Sequence, residues 1–204
     1  MAALLLVVAC DDVPMAPVDV DLGADEAPVQ ADQAVPLSTP TFSLTTSDGQ
    51  SGLRWSSSVK KDERRKSKID EQGGVIWTNA GVYLDIPENA LSKREEITVV
   101  AAKGKDVAFV FGPHGLHFQE AVTVRIKLIR LENRTDILEA AAAAIESGAA
   151  ADENRVLLGS LTAVYYADQD GELIEVIETF PIYLVDGEYL EFETDHFSGY
   201  ALAW

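Results

Sequence analysis

The sequence predicts an all-β protein: an antiparallel β-sandwich with one inserted helix near residues 135–148 and a disordered N-terminal tail. Three observations carry this. Val122, Val124, Ile126 and Leu128 alternate with Thr123, Arg125 and Lys127, the pattern of a strand with one buried and one wet face. From Gly73-Gly74 onward, roughly eight to ten short apolar segments recur between turn residues, the spacing of a sandwich. Only residues 135–148, rich in Ala and Glu, break the strand pattern.

The elements follow in chain order. Residues 1–10 are an apolar run ending in Val7-Val8-Ala9-Cys10. An apolar segment, a small residue and then Cys resembles a bacterial lipobox, so Cys10 is the expected lipid-attachment residue. No Lys or Arg precedes the run, so a truncated signal peptide with an upstream start is expected. Nine apolar residues cannot cross a bilayer, which needs about 20, so no transmembrane helix is expected. Residues 11–50 hold five of the eight prolines, eight acids and no Lys or Arg. Such a composition cannot offset ordering entropy and predicts an extended tether. Thr41-Phe42-Ser43-Leu44 and Leu53-Arg54-Trp55 read equally as short strands or as linker. The domain plan is therefore a signal or lipobox over 1–10, a disordered acidic tether with a basic end over 11–70, and a sandwich over 71–204.

Within the sandwich, residues 75–78 and 82–86 flank the turn Asn79-Ala80-Gly81. Val82, Leu84 and Ile86 share one face and Tyr83 and Asp85 the other, and Pro87 ends the strand. Strands over 97–101, 107–111 and 121–128 follow, then a helix of about three turns with Thr135 or Asp136 as N-cap and Gly148 past its end. Residues 157–166, 172–177 and 182–185 are further strands, and Asp186-Gly187 marks a two-residue hairpin to 188–194. The chain closes on Tyr200-Ala201-Leu202-Ala203-Trp204, a final strand.

Charge narrows the partners. Sixteen bases against 34 acids give a net charge of −18, which argues against nucleic acid and anionic membrane. Lys60-Lys61-Asp62-Glu63-Arg64-Arg65-Lys66-Ser67-Lys68 is the one positive island. It reads first as a solvated arm and second as a contact for anionic envelope polymers or lipid headgroups. Cys10 is the sole cysteine, so no intrachain disulfide forms.

Several motifs in order point to a family. Gly73-Gly74, then Ile86-Pro87-Glu88-Asn89-Ala90-Leu91, Ile97-Thr98-Val99, Gly112-Pro113-His114-Gly115-Leu116-His117-Phe118 and the closing His196-Phe197-Ser198-Gly199-Tyr200 resemble the ZU-five domain. That β-sandwich is shared by ankyrins, netrin receptors and zonula occludens proteins. The likeness covers about 130 residues and is closest to an exported bacterial subgroup. Ankyrin repeats, a death domain and a transmembrane helix, which accompany the domain in animal proteins, are missing from this sequence, so spectrin or death-complex binding is not carried over.

The resemblance implies one piece of chemistry. In some ZU-five domains the triplet matched by His196-Phe197-Ser198 cleaves itself between Phe and Ser. Ser198 would attack the Phe197 carbonyl, His196 would act as general base, and water would hydrolyse the ester. The competing reading is structural: Phe197 fills the core and Ser198 satisfies backbone. His114 and His117 have too few companion ligands for a metal site, and Asp168, Asp170 and Glu172 read as a hairpin turn, not a calcium loop. Asn133-Arg134-Thr135 matches a glycosylation sequon, which carries no weight in a bacterial reading. The expected function is a non-catalytic lipid-anchored or secreted module of the bacterial cell envelope, without cofactor or metal. It binds an envelope protein or polymer, and touches the membrane only through lipid at Cys10. Self-cleavage at Phe197–Ser198 is the alternative.

Overall fold

The structure, a computed structural model, describes residues 52–148, 154–169 and 172–203. The lipobox with Cys10, the tether over 11–50, Asp170 and Trp204 lie outside the described residues, as do the side chains of Asp168 and Glu172.

Twelve strands and one helix make up the described chain. They are β1 (Arg54–Val59), β2 (Glu63–Ile69), β3 (Gly74–Trp77), β4 (Val82–Ile86), β5 (Glu95–Ala101), β6 (Gly104–Asp106), β7 (Ala108–Gly112), β8 (His117–Lys127), α1 (Arg134–Glu146), β9 (Arg155–Gln169), β10 (Glu172–Val185), β11 (Tyr189–His196) and β12 (Gly199–Ala203). Ten of the strands form one antiparallel ladder in the order β2-β5-β7-β12-β9-β10-β11-β8-β4-β3, and β1 pairs with β6 as a separate ribbon.

The ladder folds over on itself into a sandwich. Phe109 on β7 and Phe192 on β11 are four strands apart in the ladder, about 19 Å in a flat sheet. Their ring centroids are 6.1 Å apart, so they face one another across the core. The two ends of the ladder also meet. Arg65 of β2 lies over the Trp77 ring of β3 at 5.8 Å, and Glu63 accepts hydrogen bonds from Asn79 N–H (2.6 Å) and Ala80 N–H (3.0 Å).

Strand β8 alternates buried and open from Val122 to Lys127, as its sequence requires. Strands β7 and β12 are buried at every residue, because both of their faces are covered. The Gly-Gly and Ile-Pro motifs are one structural unit. A Cβ on Gly73, at φ 72°, would sit 2.3 Å from the Ile86 carbonyl oxygen, so only glycine lets these segments meet.

Several expectations need correction. The tether does not run to residue 70: β1 and β2 are strands, and Leu53 and Trp55 are core residues. The basic run is not a free arm. Arg64 to Lys68 lie on β2, the edge of the ladder, where exposed cations discourage strand addition by another chain. The stretch 172–185 is one strand, with Pro181 beside a register shift and before the segment that pairs with β11. The β10–β11 connection has three residues, because Val185 pairs with Tyr189. Asp186 and Gly187 hold the positive φ that the turn needs.

Helix α1 buries Ile137 and Ala141, one turn apart, against the sandwich. Its N-cap is Asn133, not Thr135 or Asp136, and the Asn133 side-chain oxygen accepts the Arg54 N–H rather than capping the helix. Asp136 falls in the first turn, where the helix dipole favours a negative charge.

Candidate functional site

The C-terminal triplet is assembled from three elements. Phe197 and Ser198 form the short link between β11 and β12, and both are buried. The loop between β7 and β8 holds them: Gly115 N–H donates to the Phe197 carbonyl (3.2 Å), and Phe197 N–H donates to Leu116 O (2.9 Å). On the far side Phe111 N–H donates to Ser198 O (2.9 Å). The motif over 112–118 and the motif over 196–200 are thus two halves of one closure. Phe197 packs edge-on against Phe118 at 4.6 Å and beside Phe111 at 5.3 Å.

Of the three triplet residues none has positive φ, and the peptide bonds among them are trans. The His196 carbonyl accepts from the Tyr200 hydroxyl (2.7 Å) and the Thr194 hydroxyl (3.1 Å), which are themselves 2.9 Å apart. The His196 Nδ1 lies 3.0 Å from an Asp195 carboxylate oxygen. That hydrogen bond, ahead of all other influences, holds the Asp195 carboxyl below its ordinary range. A carboxylate on one ring nitrogen is how a base is oriented in acyl-transfer sites.

His117 pairs across the strands with His196, their rings 5.9 Å apart. His114 is exposed on the loop, and local desolvation lowers its pKa. Among the described residues, no three His, Cys, Asp or Glu side chains cluster closely enough to hold a metal. Asp168 and Glu172 flank the β9–β10 hairpin turn, where Gln169 pairs with Glu172.

A second region was not legible beforehand. Trp77, Tyr83, Arg125, Glu191 and Tyr183 stand in register on five adjacent strands, β3, β4, β8, β11 and β10. They form one row along the outer face. Trp77 is 53% exposed and its neighbour Val75 56%. Cations lie on the rings: Arg65 over Trp77, Lys127 over Tyr83 at 5.8 Å, and Arg155 over Tyr183 at 3.9 Å. Buried Glu191 anchors the row, accepting from Arg125 Nε at 2.7 Å with Arg155 at 3.3 Å. Beside it is a hollow of about 250 Å³ walled by Val75, Tyr83, Asp85, Arg125 and Tyr189. Tyr83 was placed outward by alternation. The row needs the register of five strands, which no local pattern encodes.

No protein-family model matches the chain, and no curated protein matches it. Among the described residues, no helix is long and apolar enough to cross a membrane.

Proposed function

We propose that this chain is a non-catalytic module of the bacterial cell envelope. In this reading a ZU-five-like sandwich, lipid-anchored at Cys10 or secreted, presents its outer aromatic row to an envelope protein or polymer. The observation that carries it is the exposed pair Trp77 and Val75 at one end of a Trp–Tyr–Arg row. Trp, Tyr and Arg are the residues in which binding energy concentrates, and a row on a rigid sheet loses little entropy when it docks. The test is capture from envelope extract by the full chain, with Trp77→Ala and Tyr83→Ala in parallel. Capture by the native chain and its loss in the variants is the expected result. Cys10→Ala should move the native gene product from the detergent phase to the aqueous phase, and unchanged partitioning would remove the lipid anchor from the reading.

Self-cleavage between Phe197 and Ser198 is the second reading, favoured by the Asp195–His196 pair. Against it stand the anchored backbone on both sides of that bond and the absence of positive φ, since the acyl shift draws on a strained peptide. Denaturing mass spectrometry decides between them. The expected mass is uncleaved, whereas a released peptide beginning at Ser198, abolished by Ser198→Ala, would establish cleavage.

A further inference from the structure

A pocket of about 340 Å³ opens between the end of β1 with its connection to β2, the turn Asn79-Ala80-Gly81 and the 3₁₀ turn Leu128–Arg130 that follows β8. That is a volume suited to a small ligand. Lys60, Lys61 and Arg130 line it, together with the serines at 56–58. Among the described residues, these three cations form no ion pair, although the chain carries 34 acids. The one carboxylate in the lining, Glu63, is engaged by the Asn79 and Ala80 N–H groups and lies 3.4 Å from Arg65. It does not neutralise the pocket.

The walls are fixed. Lys105 donates to Trp55 O (2.6 Å) and Ser56 O (3.2 Å) and pairs with Glu132 at 3.0 Å, which pins the start of β1. Gly81, at φ 102°, lets the Arg130 stem pack on the turn: a Cβ there would lie 2.9 Å from Arg130 Cγ. The Trp55 indole N–H, on a lining residue that is 2% exposed, is buried and finds no acceptor among the described residues.

We propose that this pocket binds a phosphate group, borne by a sugar-sized ester or by a lipid headgroup. Three cations around several hydroxyls match a tetrahedral anion of charge near −2, which accepts many donors at once. In a chain of net charge −18, an unpaired cationic hollow also concentrates the local field. This site is separate from the aromatic row and goes beyond the reading that rests on it.

The experiment is calorimetric titration of the full chain at low salt with inorganic phosphate and glucose 6-phosphate, and flotation with phosphatidylglycerol or phosphatidylcholine vesicles. Saturable one-to-one binding of a phosphate probe is expected. Arg130→Gln, and Lys60→Gln with Lys61→Gln, should each weaken it about tenfold or more, while Lys93→Gln, on a distant loop, leaves it unchanged. Gly81→Ala, which displaces Arg130 without removing charge, should also weaken it. Soluble esters binding while vesicles do not assigns the phosphate to a sugar-sized ligand, and selective flotation with phosphatidylglycerol assigns it to a lipid. No saturable binding to any probe, or binding indifferent to Arg130→Gln and to the double lysine variant, overturns the site. Envelope capture through Trp77 stands or falls separately, so the two failures are distinguishable.

Discussion

One aromatic group fills the core of the sandwich and another lies along its outer face. Inside, Phe109, Phe111, Phe192, Phe197 and Tyr200 pack ring to ring, with centroids 5.3 to 6.2 Å apart. Outside, Trp77, Tyr83 and Tyr183 each meet a cation. Inner rings gain by leaving water, and their neighbours are chosen by shape. Outer rings keep one face near water and are ordered by charge. The comparison teaches that the inner group holds the fold and the outer group is available to a partner.

The largest test of that contrast is Phe197→Ala. Truncating a fully buried phenylalanine should cost about 3–5 kcal/mol in urea unfolding. If it costs no more than Trp77→Ala, the division between the two groups fails.

Tyr200→Phe is a sharper cut, because it keeps the ring and removes only the hydroxyl shared by His196 O and Thr194. A loss of about 1 kcal/mol is expected. No loss would mean that ring packing alone closes the C-terminal strand.

Trp77→Ala should change stability by less than about 1 kcal/mol, since the ring is half exposed, while abolishing the proposed envelope capture. A large stability loss would move Trp77 into the structural group.

The smallest effect concerns His114, on the loop that grips Phe197. Desolvation lowers its folded pKa, so the unfolded chain takes up the proton first as pH falls. Its contribution is present above the unfolded value of about 6.5 and is lost as pH drops through the folded value. The unfolding midpoint should therefore fall slightly from pH 7.5 to 5.5, and part of that fall should vanish in His114→Asn. An identical pH profile in the variant would show that the loop does not sense this proton.

What could be read beforehand depended on whether one strand carried its own signal. The alternation at 121–128 and the glycine–proline punctuation announced β4, β7 and β8, and the Ala-rich break announced α1. Strand β2 was concealed because its exposed side chains are cationic, which resembles a solvated arm, and its partner β5 is contributed from elsewhere. Strand β6 has three half-buried residues and no apolar pattern at all. The triplet at 196–198 was legible as a motif, but the loop at 115–116 that anchors it was not. Both the row through Tyr83 and the pocket at Arg130 arise from registers between distant segments, so they become visible only once the strands are paired.

Strand β12 is last in the described chain, yet it lies inside the ladder, between β7 and β9. Until residues 199–203 arrive, no ladder joins the two pieces of the sheet, β2-β5-β7 and the six strands from β9 to β3. A chain emerging N-terminus first must hold both pieces open until residues 199–203 are delivered. Any stop or trimming ahead of Gly199 therefore leaves the β7 and β9 edges bare, a ready template for pairing with another chain.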